Sequence, residues 1–175
     1  MFDTMSLDVS NSQGAFMVSM EQLMAWLGRA SNDTEVQEFL AEQGLQRAPK
    51  IPRAEAGVYL SIKAQGLSLL FESAEYFSKQ QGVRLAGNTP ILSALFFYGP
   101  GHDTFRVFQG ELHGGLRFDM NQQQAQHRLG QSVLFDPDFN TEAWDIGEHV
   151  RLFVDYDDDH RQAICVVQAT YFSPG

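Results

Sequence analysis

Cysteine is almost absent from this chain: Cys165 is the only one among 175 residues. A single cysteine cannot form an internal disulfide, and it excludes metal sites built from several thiolates. This usage is typical of a reducing compartment. Cys165 lies in the alternating segment AICVVQ, so we expect it to be a small buried hydrophobe with a raised thiol pKa and not a nucleophile.

Long apolar runs are also missing. No stretch approaches the eighteen or more apolar residues that a membrane span requires. The first residues, MFDTMSLDVSNSQGAF, carry acids where a signal peptide has Lys or Arg, and they contain no central apolar region. We therefore expect a cytoplasmic protein with no membrane partner, in which residues 1–15 form a loosely ordered arm.

Basic residues are scarce, with 12 Lys and Arg against 22 Asp and Glu and a formal net charge of −10. Such a charge repels phosphate backbones, so we do not expect nucleic acid as a partner, and basic proteins are favoured instead. The acids concentrate between residues 136 and 159, where Arg151 is the only Lys or Arg. The C-terminal third therefore carries most of the negative field.

The chain contains enough apolar residues, 43% of the total, to form one folded domain over residues 1–175. Capping signals predict three helices. The first runs from Ser19, with Gln22 in a capping box, to Gly28. The second begins among caps at residues 31–33 and ends at Gly44. A third, later helix is predicted to have Asp119 as its cap, Gln122 in the box and Gly130 past its end.

Alternation of apolar and polar residues predicts the strands. They cover residues 58–64, 67–72, 91–99, 105–112, 149–156 and 162–172, whereas FDPDFNTEAWDIG (135–147) reads as an irregular loop. The last two strands form a hairpin with the acidic segment as its turn. We therefore predict an α+β fold: an antiparallel sheet of about six strands, with the N-terminal helical hairpin and one further helix packed on one face.

The acidic turn resembles a calcium loop only in part. Asp155, Asp157 and Asp159 occupy positions 1, 3 and 5 of an EF-hand pattern, but His160 stands where that pattern needs Gly, and Val166 where it needs Glu. The flanking segments also alternate like strands and not like helices. We therefore expect no metal here, and consecutive aspartates in a turn are most simply solvated.

Catalytic patterns are weak. The chain has no G-x-S-x-G elbow and no phosphate-binding loop. His102 and Asp103 in a Gly-Pro-Gly turn, with His113 eleven residues on, are the only arrangement that could converge into a general base and its partner. A small hydrolase using these residues stays an alternative. The preferred interpretation is a protein that is not an enzyme and needs no cofactor.

The second half carries a resemblance to a known group of proteins. FYGPGHDTFRVFQGELHGGLRFDMNQQQAQHRLGQS, followed by AWDIGEHVRLFVDYDDD, is similar to small cytosolic bacterial immunity proteins of polymorphic toxin systems, over about residues 58–168. Members of that group tend to have Pro after the Leu-Gly and an Asp-Gly turn in the last hairpin. Here Gln131-Ser132 and Asp158-Asp159-His160 stand at those places. The resemblance implies an inhibitory binding function, and it brings no catalytic motif.

An acidic inhibitor also makes physical sense, because toxins that attack nucleic acids carry basic clefts onto which an acidic protein is steered. We expect a basic cognate toxin domain as the partner. The expected toxin-binding residues are Asp155, Asp157, Asp158 and Asp159, supported by Asp138, Glu142, Trp144 and Asp145. Trp144 either anchors its loop on the sheet or serves as an aromatic hot spot. A non-catalytic adaptor of a secretion system is the second alternative, and the oligomeric state stays open.

Overall fold

A computed structural model describes residues 6–8, 18–45, 48–85, 87–102, 104–157 and 160–174. Within these ranges the helices are α1 (Met20–Met24), α2 (Thr34–Glu42), α3 (Ala74–Gln81) and α4 (Gln122–Leu129). The strands are β1 (Ser6–Asp8), β2 (Gly57–Ile62), β3 (Leu67–Glu72), β4 (Ile91–Tyr98), β5 (Leu134–Asp136), β6 (Thr141–Ile146), β7 (Val150–Tyr156) and β8 (Ile164–Tyr171).

The eight strands form one sheet in the order β1-β2-β3-β4-β8-β7-β6-β5. β1 runs parallel to β2, and every other neighbouring pair is antiparallel. The predicted α+β class is confirmed, although the antiparallel part has seven strands where about six were expected. Ser6–Asp8 of the expected N-terminal arm form the edge strand β1. The remaining residues of that arm, 1–5 and 9–15, lie outside the described residues.

One face of the sheet carries the core. A single register row runs through Leu60, Leu69, Leu95, Ala169, Leu152 and Trp144 across six strands, and none of these side chains is more than 3% exposed. The predicted helical hairpin packs into the same core through buried residues of α1 and α2. The predicted capping box of α1 is confirmed, since Ser19 Oγ accepts from the Gln22 amide at 3.3 Å and Gln22 Oε1 accepts from the Ser19 amide at 3.0 Å. Alternation along the strands thus places apolar side chains under the helices.

The predicted strand at 105–112 is wrong, because this segment is irregular. Its backbone bonds go to two different elements: the Arg106 amide donates to Lys63 O and the Phe108 amide to Tyr98 O, each at 2.9 Å. The segment crosses so close to the turn between β2 and β3 that a Cβ on Gly66 would lie 2.1 Å from Arg106 O. The segment packs over that turn, and its amides bond to two separate elements, so it does not pair along one strand.

The predicted cap of the later helix is displaced by two residues. α4 is capped by Asn121, whose side chain accepts from the Gln124 amide at 3.0 Å, with Gln124 completing the capping box. Asp119 instead accepts from Arg117 Nε at 2.9 Å. Both Asp119 and Asn121 are residue types that cap helices, but the Asp119 carboxylate pairs with Arg117, and Asn121 is the cap. The predicted end at Gly130 is confirmed.

The expected irregular loop over residues 135–147 is also wrong, since most of it belongs to the hairpin formed by β5 and β6. Pro137 follows β5 directly, and it has no amide hydrogen to continue a ladder. Asn140 closes the turn with a positive φ of 52°. The predicted final hairpin is confirmed as β7 and β8, with a register shift between Asp155 and Tyr156.

Candidate interaction surface

Two turns lie side by side at one end of the sheet. Because β5, β6, β7 and β8 are successive antiparallel neighbours, the turn after β5 and the turn after β7 lie at the same end. Asp136, Thr141 and Asp155 stand in one register row across three of these strands. The Tyr156 amide donates to Asn140 O at 3.0 Å and ties the two turns together.

This arrangement gathers several of the expected acidic residues. We call Asp136, Asp138, Asp155 and Asp157 the acidic end of the sheet. Asp138 is exposed in the first turn, and its amide donates to Asp136 Oδ1 at 3.0 Å. Asp157 is exposed in the second turn. The sequence therefore identified carboxylates that the fold does bring to one place.

The carboxylates of the second turn differ in environment. Asp155 is half-buried and accepts from Thr141 Oγ1 at 2.5 Å. Burial raises the pKa of this carboxyl, while the Thr141 hydrogen bond and the nearby His102 act in the opposite direction. Asp157 closes the turn by accepting from the Ala163 amide at 3.2 Å. Asp158 and Asp159, the other two predicted residues of this turn, lie outside the described residues.

Glu142 is buried, and this corrects its prediction as an exposed toxin-binding residue. Its side chain is 1% exposed and faces α4. Its carboxylate accepts three hydrogen bonds: from Gln126 Nε2 at 2.6 Å, from Ser132 Oγ at 3.2 Å and from Tyr156 OH at 2.9 Å. A buried carboxylate with this many donors is a structural link between α4, β6 and β7.

Trp144 is likewise buried, at 3% exposure, so it cannot be an aromatic hot spot in this conformation. It belongs to strand β6 and not to a loop, and its indole Nε1 donates to Gly130 O at 3.0 Å. The indole therefore anchors the end of α4 on the sheet. Of the two alternatives given for Trp144, this is closer to anchoring on the sheet than to an aromatic hot spot.

Asp145 is separated from the acidic end. It lies four residues from Thr141 along β6, about 13 Å away at the usual rise of a strand. Arg151 binds it through two hydrogen bonds, Nε to Oδ1 at 2.6 Å and a terminal nitrogen to Oδ2 at 3.1 Å. This hydrogen-bonded arginine lowers the pKa of Asp145. Its charge is therefore already balanced within the sheet.

The sequence interpretation missed an apolar patch beside the acidic end. Among the described residues, five large hydrophobic side chains are exposed, and four of them fall within seven positions: Val133 (58%), Leu134 (45%), Phe135 (42%) and Phe139 (76%). We call these four residues the edge patch. Together the four side chains expose on the order of 400 Å² around β5, with Leu134 and Phe135 on opposite faces of the strand. The signal was the run Val-Leu-Phe directly before Asp-Pro-Asp-Phe in an acidic segment.

The residues of the alternative catalytic site contact different parts of the molecule. The ring of His102 lies 3.2 Å from Cys165 O through Nε2 and packs on Tyr98. The ring of His113 pairs through Nδ1 with Glu21 of α1. Asp103 lies outside the described residues. Burial raises the pKa of the Cys165 thiol, which donates to Asp155 O at 3.3 Å.

The described residues contain neither a group of metal ligands nor a membrane-spanning helix. No three or more His, Cys, Asp or Glu side chains are grouped so that they could hold a metal ion. No helix there combines the length and the apolar character needed to cross a bilayer. Comparison with protein-family models, curated proteins and solved structures gives no match to this chain.

Proposed function

We propose that this protein is a cytoplasmic immunity protein. It binds a cognate antibacterial toxin domain that carries a basic active-site cleft, and it inhibits the toxin by covering that cleft. The inhibitor needs no chemistry or cofactor of its own, since occlusion requires only a complementary surface.

The observation that carries this proposal is the position of the edge patch beside the acidic end. Stable interfaces combine a few buried aromatic or aliphatic anchors with a polar rim. Here Phe139 offers a side chain that is 76% exposed, with Asp138 adjacent in the same turn. An apolar anchor with a carboxylate beside it suits a partner that has an apolar pocket next to basic residues.

Electrostatics supports the same partner class. The chain carries a net charge of −10, and such a field raises the association rate with a basic protein at low ionic strength. Two carboxylates of the acidic end, Asp138 and Asp157, are exposed. They can act on the approaching partner, whereas Asp145 is balanced by Arg151.

Co-expression tests this proposal. We expect the neighbouring reading frame to encode a protein that ends in a small basic toxin domain, and this domain is expressed in a sensitive strain together with wild-type protein or with the Phe139→Lys variant. We expect wild type to restore growth and Phe139→Lys to fail. Leu85→Lys is the matched control, because Leu85 is an exposed hydrophobe outside the edge patch. Growth arrest in the presence of abundant wild-type protein would contradict the proposal, as would full rescue by Phe139→Lys.

A further inference from the structure

In the described part of the chain the sheet has two edge strands, β1 and β5, and each pairs with one neighbour only. At the β5 edge two large apolar side chains, Leu134 and Phe135, are also exposed. Alternate backbone amides and carbonyls of an edge strand point away from its neighbour and can accept another strand.

β5 carries part of the protection usual for edge strands, because it is short, ends at Asp136 and is followed by Pro137. Its two apolar side chains are nevertheless exposed. Leu134 and Phe135 are both exposed and point to opposite faces of the sheet, because successive side chains alternate along a strand. A strand added at this edge would therefore contact Leu134 on one face and, on the other, Phe135, whose ring has the Arg161 guanidinium 4.7 Å from its centroid.

Two aspartates beside β5 favour a basic segment as the added strand. Asp136 ends β5 and Asp138 follows in its turn. The complementary segment is extended and alternates basic with apolar residues, so that main-chain bonds give affinity and side chains give specificity. We propose that an extended basic segment of the toxin adds to the free edge of β5 as a further antiparallel strand, a binding mode that rests on the proposed function.

A second copy of this chain fits the edge less well. A two-fold pairing of β5 would join two molecules that each carry a net charge of −10 and therefore repel each other. The edge patch also supplies on the order of 400 Å² per molecule, about half of the roughly 800 Å² that each partner contributes to a standard interface. A basic partner can extend its contacts onto the acidic end, and a second acidic copy cannot.

A defined peptide tests strand addition without the toxin. The probe is an end-capped eight-residue peptide that alternates Lys and Val, and the control peptide alternates Glu and Val. With ¹⁵N-labelled protein, we expect the Lys-Val peptide to shift resonances of residues 133–139 and of the adjacent β6. We also expect the outward-pointing amides of β5 to exchange at least about tenfold more slowly, as is typical of new main-chain hydrogen bonds. The Glu-Val peptide should bind at least about tenfold more weakly.

Variants make the outcome specific to β5. Leu134→Lys should abolish peptide binding, and the milder Leu134→Thr, which keeps strand propensity, should weaken it. Leu85→Lys should bind like wild type. Unchanged β5 amide exchange at saturating peptide, or shifts centred elsewhere, would overturn strand addition.

Three further outcomes distinguish strand addition by the toxin from a second copy at this edge and from the proposed function. If wild type sediments as a dimer that Leu134→Lys converts to a monomer, the edge belongs to a second copy, and the inference is wrong. If growth rescue fails while the peptide still adds to β5, the toxin proposal falls and the edge site stands. If rescue succeeds equally with Leu134→Lys, the function stands and strand addition falls.

Discussion

Replacing Phe139 with Ala should weaken toxin binding while leaving the fold intact. A phenylalanine side chain has roughly 200 Å² of surface, and 76% exposure leaves about 150 Å² to be buried by a partner. At about 25 cal/mol per Å² this burial is worth at most about 4 kcal/mol. Imperfect packing and ordering reduce the figure, so we expect a loss of about 2 kcal/mol, or roughly 30-fold in Kd.

Titration calorimetry with the purified toxin domain measures this Kd, and urea unfolding measures stability in parallel. Because Phe139 is already exposed, its removal should change the free energy of unfolding by less than about 0.5 kcal/mol. Leu85→Ala is the matched control and should bind like wild type. A Kd for Phe139→Ala within twofold of wild type would refute the reasoning. So would a loss of binding accompanied by a stability loss above about 1 kcal/mol, since the effect would then be on folding.

Three further predictions concern the neighbouring carboxylates. Tyr156→Phe removes one donor from the buried Glu142 carboxylate and should cost about 1.5–3 kcal/mol in urea unfolding, and a loss below about 0.5 kcal/mol would contradict that network. Burial raises the pKa of Asp155, so its protonated form is favoured in the folded state. The stability of wild type relative to Asp155→Asn should therefore be greatest below the unfolded pKa of about 3.9. This advantage should be lost as pH rises through the higher pKa of the folded state. If the two proteins show parallel curves of stability against pH, the pKa of Asp155 is not raised by folding. The double variant Asp138→Lys/Asp157→Lys should slow toxin association about tenfold at low salt and flatten its salt dependence in stopped-flow measurements, and an unchanged rate and salt slope would show that the acidic end does not steer.

Much of the fold follows from local signals. Helix α1 and strands β7 and β8 could be predicted because one short sequence pattern specifies each of them: a capping box at Ser19 for the helix and alternation for the strands. The acidic end was readable in part for the same reason, since a hairpin between two alternating runs must place Asp157 in a turn.

β6 was not predicted because its residues do not alternate regularly between apolar and polar. The segment TEAWDI places Glu142 on the buried face between apolar neighbours, and Ala143 and Asp145 on the other face. A charged residue at a core position breaks the pattern of a strand, and the donors that make its burial possible, Gln126 and Tyr156, come from α4 and β7. These donors lie 16 and 14 residues from Glu142, so a short segment of sequence cannot show that its burial is possible.

The edge patch was missed for a different reason. Leu134 and Phe135 are exposed because β5 is the last strand of the sheet, and strand order is a property of the whole topology. In a central position the same residues would form core. Their chemistry was visible in the sequence, but their exposure depended on where the fold places them.

The most direct test of the central claim is a titration of toxin activity in vitro. The purified toxin domain is assayed on its own substrate while this protein is added from zero to several equivalents. If the protein covers the active site of the toxin, activity falls linearly to zero at one equivalent, and the Phe139→Lys variant requires a large excess. Full toxin activity in the presence of several equivalents of folded wild-type protein would contradict the central claim.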